Sequence, residues 1–196
     1  MPWIDKIIAF GLGVVAARAS RKSHQIEHAI ALTIARTLEE KNASTRIGIY
    51  LQDPGYTSAC KEALSLMGFQ VIGGHGAHGF TMINEHTFVM SHNAPIPIRE
   101  IVADIARPAA MYWKPELADE ELDIDPDLRV SLGDIDSVRT RRMMVEYDPI
   151  PIPGASIGQH PYYDFASRLG RRGIAGEPFG NSALYVKKPS WRFKRA

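Results

Sequence analysis

The residues best suited to chemistry lie at the ends of short apolar runs. Asp53 follows the run Arg46 to Leu51 (RIGIYL) and is followed by Pro54. A carboxylate at that place can hold the hydroxyl pair of a ribose, in a dinucleotide or an adenosylmethionine site. It can equally open an Asp-Pro turn and cap the next helix. Further upstream, Gly11-Leu-Gly13-Val-Val-Ala16 has the form G-x-G-x-x-A. Glycines in that pattern let backbone approach a phosphate at a helix N-terminus. The spacing departs from the dinucleotide fingerprint, because the first good helix start is Ser23 and the first strand-end acid is Asp53, 40 residues after Gly13. A glycine loop that lets a helix pack close to a sheet is the competing reading. His92 ends the run Thr87 to Met90 at one remove, where an imidazole could serve as acid, base or ligand, or simply bond loop backbone. His24 and His28 are one helical turn apart, as metal pairs can be, but lack the H-E-x-x-H glutamate, and no metal site is assigned. Cys60 falls on the apolar side of a helix with Ala63, Leu64 and Met67 and reads as a buried structural thiol. No Ser-His-Asp order or nucleophile elbow is present.

These residues need a scaffold, and the periodicity supplies one. Strands are expected at Lys6 to Phe10, Arg46 to Leu51, Phe69 to Ile72, Thr87 to Met90 and Ala109 to Trp113. Helices are expected at Ser23 to Glu40, Thr57 to Met67 and Pro97 to Arg107. The first carries a stripe of Ile26, Ile30, Ile34 and Leu38, widened by Ala29 and Thr33, with Ser23 as N-cap. Gly68 is placed to end the second. The alternation predicts an α/β fold: one Rossmann-like, doubly wound, mostly parallel sheet with helices on both faces. Residues 1–115 form its core in a single domain spanning 1–196. After residue 115 comes an irregular extension. It has an acidic loop, a helix within Ser137 to Tyr147, and a Pro-rich linker from Asp148 to Gly154. A late strand, Ser182 to Val186, reads as an edge, and a basic tail follows. The loop GGHGAHG reads as mobile or turn-forming.

In an open parallel sheet ligands bind beyond the carboxyl ends of the strands, where strand order reverses. That rule collects Gly11, Gly13, Ser20, Ser23 and His24 after the first strand. It adds Gln52, Asp53, Tyr56 and Thr57 after the second, and Ser91, His92 and Asn93 after the fourth. His92 and Asp53 are the catalytic candidates; the others are ligand-binding candidates.

Composition bounds the class. The chain has 196 residues, 23% charged and 45% hydrophobic, which fits a globular domain rather than a disordered or collagenous chain. Its 23 basic and 22 acidic side chains nearly cancel, so nothing global argues for nucleic acid or a membrane surface. One cysteine excludes an internal disulfide framework and a Cys-rich zinc site. The apolar run from Ile7 to Ala17 is shorter than the roughly 20 residues of a membrane span. It suits a strand and loop better than a signal-peptide core. A cytoplasmic protein, with the nucleus as a second location, is the expectation. Glu116 to Asp136 holds nine acids against Arg129, and Arg168 to Ala196 holds eight basic residues against Glu177. Both read as solvated, unless they attract each other or the tail meets an anionic partner.

The segments IIAFGLG, SHQIEHAIALTIA, YLQDPGYTSACKEALSLMGFQVI, HGAHGFTMINEHTFVMSHNAP and IVADIARPAAMYW occur in this order. SVRTRRMMVEYD and FGNSALYVKKP follow. With Q-D-P-x-Y-T as its most specific element, this series resembles the "sensitivity to red light reduced" family in its fungal-like form, over residues 7 to 188. Two departures stand out. Cys60 occupies a position where the family pattern has an acid, and Met90-Ser91-His92-Asn93 keeps the histidine of an M-P-H-C segment while losing its cysteine. The resemblance implies a Rossmann-like domain with a strand-end site. It also implies regulatory roles, since members are linked to light signalling, circadian rhythm, haem metabolism, transcription and the cytoskeleton. Three functions follow as expectations. The first is a regulatory or ligand-binding protein with a small-molecule pocket. The second is a small enzyme using adenosylmethionine or NAD(P). The third is a haem protein ligated through His92 or His24. A protein partner, or a homodimer through an edge strand or apolar helix face, is compatible with each.

Overall fold

The computed structural model describes residues 2–15, 22–42, 46–91, 94–114, 134, 137–150 and 182–189. Five strands and four helices come from the first 114 residues: β1 Lys6–Phe10, α1 Lys22–Lys41, β2 Gly48–Gln52, α2 Ser58–Leu66, β3 Gln70–Gly73, α3 His78–Thr81, β4 Thr87–Ser91, α4 Ile98–Ile105 and β5 Ala110–Trp113. Then follow α5 Val138–Met144, β6 Tyr147–Ile150 and β7 Ala183–Lys187. The seven strands form one sheet in the order β3-β2-β1-β4-β5-β7-β6. The pairs β1–β2, β1–β4, β2–β3 and β4–β5 are parallel. β7 runs antiparallel to both β5 and β6.

This sheet is doubly wound because each central strand is apolar on both sides. Ile7 and Ala9 of β1 join a core with Ala31, Ala35 and Leu38 of α1 and Cys60 and Leu64 of α2. Ile8 and Phe10 point the other way, into a core with Phe80, Ile98 and Val102 of α3 and α4 and Met143 of α5. Helices on both faces remove the polar alternation that a one-sided sheet would show. Local signals set the ends of α2. Thr57 is its N-cap, its hydroxyl accepting from the Cys60 N–H at 3.2 Å, and Gly68 follows the C-cap Met67 with φ +91°. Cys60 is fully buried, as its place on the helix predicts.

The structure corrects several sequence expectations. Helix α1 already includes Lys22, so Ser23 is not its N-cap. Its buried side is Glu27, His28, Ala31, Ala35 and Leu38, whereas Ala29 and Thr33 are exposed. Leu38 of the expected stripe is buried and Ile30 and Ile34 pack half-buried against the same core, so the buried face is wider than expected and centred on the neighbouring row of Glu27, Ala31 and Ala35. Within GGHGAHG begins α3. Gln52 builds it: its side-chain amide donates to the Gly76 carbonyl at 2.8 Å and accepts from the Gly79 N–H at 2.7 Å. β7 is not an edge but lies between β5 and β6. The edge is β6, formed by the first residues of the expected linker. Its Pro149 is tolerated because an outermost strand needs ladder bonds on one side only.

Asp134 belongs to the acidic stretch expected to be solvated, yet it is buried beside Arg99. Its Oδ1 accepts the Arg99 backbone N–H at 2.8 Å, and its carbonyl accepts from the guanidinium at 2.7 Å. Burial pushes the Asp134 carboxyl up to about 6, against the pull of Arg99. Among the described residues no helix is long and apolar enough to cross a membrane.

Candidate functional site

β1 lies between β2 and β4, and the chain leaves it toward opposite sides of the sheet, so the switch point is at the carboxyl ends of β1 and β4. The loop after β1 meets the turn after β2 through one side chain. Asp53 Oδ2 accepts the Gly13 N–H and Oδ1 accepts the Gly55 N–H, both at 2.7 Å. Asp53 is thus a buried clamp between two loops, and each of its oxygens carries a backbone bond. Gly13 takes φ +80°, and a β-carbon there would sit 2.6 Å from the His24 ring. Gly11, at φ +67°, packs on Ala94, and its N–H bonds the Gln52 carbonyl at 3.1 Å.

α1 brings further groups to the same place. The Nδ1 of His28 is 2.6 Å from the His24 carbonyl, which can only accept, so Nδ1 carries the proton. Nε2 then accepts from the Tyr56 hydroxyl at 2.9 Å. Burial lowers the pKa of His28 and keeps it neutral, and burial raises Tyr56 and keeps it a donor. With both ring nitrogens bonded, His28 has none to offer a metal or a haem iron. His24 Nδ1 lies 3.2 Å from the Val14 carbonyl. One residue before His28, Glu27 is only 8% exposed. Burial, and secondarily the Asp53 charge, push its carboxyl up to about 8. Glu27 therefore holds its proton at neutral pH.

The expected site residues divide accordingly. Gly11, Gly13, His24, Asp53 and Tyr56 are brought together. Gln52 stands beside them, but its amide is committed to the loop before α3. Thr57 is exposed and caps α2. Ser91 closes β4 level with Phe10; it is 1% exposed, and its hydroxyl has no hydrogen-bond partner among the described residues. Ser20, His92 and Asn93, and the side chain of Ser23, lie outside the described residues. Sequence reasoning passed over Glu27, and considered His28 only as half of a metal pair. The signal that finds Glu27 is the spacing Glu27, Ala31, Ala35, Leu38, a stripe with an acid at its head.

Fold and site together define a Rossmann-like α/β protein with a buried polar cluster at the switch point of its sheet. The family model of the SRR1 domain, named for sensitivity to red light reduced, matches residues 1–125, and the chain belongs to that family. The matched span takes in β1 through β5 and every residue of the cluster; the segments at 137–148 and 179–189, which were expected to resemble the family, fall beyond it. A search of the curated proteins finds no match to the chain.

Proposed function

We propose that this SRR1-domain protein is a regulatory, ligand-binding protein whose small-molecule pocket opens at the carboxyl ends of β1, β2 and β4. It would act in the cytoplasm or nucleus, in circadian, light-signalling or metabolic regulation. The observation that carries the reading is Glu27. A carboxyl buried beside a second carboxylate is costly to a fold. Such groups, with strongly displaced pKa values, cluster where proteins bind and react. Glu27 and Asp53 lie together at the ends of β1 and β2, where the doubly wound sheet places its ligands.

A second reading, an enzyme using a nucleotide-type cofactor, draws support from the strand order. Adenosylmethionine, NAD(P) and haem are the candidate ligands.

A thermal-shift panel tests the pocket, with adenosylmethionine, its demethylated product, NAD, NADP, ATP and haemin. A ligand at one hundred times its Kd should add roughly 2.7 kcal/mol of stability. The expected result is a clear shift with one of them. That shift should be lost in Asp53→Asn, which still melts cooperatively. A protein whose melting none of the panel moves would not have this pocket, and protein partners would become its ligands.

A further inference from the structure

We propose that the start of α4 is a binding site for a phosphate group, and that the Asp134 carboxylate is its resident competitor. The site is on the α3–α4 face of the sheet, so it stands apart from the Glu27–Asp53 cluster and goes beyond the reading above.

Among the described residues two buried side-chain atoms lack a hydrogen-bond partner, the Ser91 hydroxyl and the Arg99 Nε. They bracket one connection: Ser91 ends β4, and Arg99 is the second residue of α4. Ser91 is in register with Phe10 on one side and Trp113 on the other. Both of those rings belong to the core that holds Ile98 and Val102 of α4, so Ser91 faces the same layer. Ser91 is 1% exposed and Arg99 4%. Groups buried so deeply in native proteins are almost always bonded. Both can donate, and an acceptor is what the connection lacks.

The end of the helix adds a backbone donor. Pro97 sits at the N-cap of α4 and makes no side-chain capping bond. The capping oxygen comes instead from 35 residues along the chain. Asp134 Oδ1 accepts the Arg99 N–H at 2.8 Å, and the Asp134 carbonyl accepts from the guanidinium at 2.7 Å. A negative oxygen on the first N–H groups of a helix is the geometry of a bound anion. The match is incomplete, because Oδ1 stays 3.8 Å from Nε, beyond hydrogen-bond reach. Lys114, which follows β5, adds a second positive charge near Asp134. The Glu100 charge beside them is offset by Arg139 at 3.6 Å.

A phosphate group fits this set of donors better than the carboxylate does. It carries three oxygens, one for the Arg99 N–H and others to offer Nε and the Ser91 hydroxyl, and a guanidinium suits it well. Burial opposes the charge of Asp134 more strongly than Arg99 and Lys114 support it. Asp134 lies in no helix or strand, so its side chain can withdraw without breaking a ladder.

Calorimetry on the full chain at pH 7.5 tests this with inorganic phosphate and glycerol phosphate. Both should bind saturably. Equal affinities would assign the site to the ion itself, and tighter binding of the ester to a small phosphorylated metabolite. Asp134→Asn should bind each about tenfold more tightly, since a like charge is gone while the amide oxygen can still accept the Arg99 N–H. Ser91→Ala should bind about tenfold more weakly, the worth of one hydrogen bond to a charged group. Without phosphate its melting temperature should hold or rise, because an unpaired buried hydroxyl has been removed. A fall in that melting temperature would show that the hydroxyl serves the fold, and would overturn the proposal. So would equal phosphate affinity in the wild type and Asp134→Asn, or no saturable binding in either. Phosphate binding abolished by Asp53→Asn would move the anion to the other cluster and overturn it as well.

Discussion

Between pH 6.5 and 8 the wild-type protein should lose about 2 kcal/mol of stability, while Glu27→Gln loses almost none. The sign follows from which state holds more protons. Folded Glu27 keeps its proton up to about 8, whereas the ordinary value is 4.5. In that interval the folded state binds the extra proton, so stability falls as pH rises. The contribution is complete below the unfolded value and is lost as pH climbs through the folded one. The slope approaches 1.4 kcal/mol per pH unit. The window matters. His28, lowered by burial, acts in the opposite sense below about 6.5, and Asp134 adds a fall of its own up to about 6. Above 6.5 Glu27 dominates. Glutamine copies the shape of the protonated acid and cannot ionise. Urea unfolding at half-unit pH steps gives the comparison. Parallel declines in the two proteins would assign the pH dependence elsewhere and remove Glu27 from the account.

The second large effect is expected at Gly13. Gly13→Ala should lower stability by about 3 kcal/mol or more, combining left-handed backbone strain with a β-carbon placed 2.6 Å from the His24 ring. For a chain of this size that is roughly a 10 °C fall in Tm. Gly68→Ala is the matched control: its φ is +91°, and nothing lies within 4 Å of the added carbon. It should cost only about 1–2 kcal/mol. Adding His24→Ala to Gly13→Ala should recover part of the difference, since contacting residues do not act additively. Equal losses at Gly13 and Gly68 would mean that the His24 ring does not rest on the loop. The close approach of loop to helix would then have no energetic content.

The two sites also show what a sequence can and cannot disclose. The central strands were legible because each is a short apolar run ending in glycine or a turn residue, and the parallel order follows from alternation with helices. The rule that sites lie beyond strand ends picked out Gly13, Asp53, His24 and Tyr56, and the structure brings these four together. What was hidden came from tertiary contacts that override local signals. Ala31 and Ala35 join the core beside Ile30, Ile34 and Leu38, and Glu27 on the alanine row is buried with them. Glycines argued against a helix at His78–Thr81. Yet Gly79 has the Gln52 Oε1 and the Phe10 ring within 2.7 Å of where a β-carbon would be, so only glycine fits there. Prolines disguised β6, whose edge position needs few backbone donors.

The central claim is that the carboxyl ends of β1, β2 and β4 form a ligand site around Glu27 and Asp53. Its most direct test is amide chemical-shift mapping of the isotope-labelled full chain titrated with adenosylmethionine. The account predicts saturable shifts concentrated at Gly11, Gly13, Glu27, Asp53, Gly55 and Ser91, with β6 and β7 unaffected. Shifts confined to the far edge of the sheet, or none at ligand concentrations in the millimolar range, would contradict it.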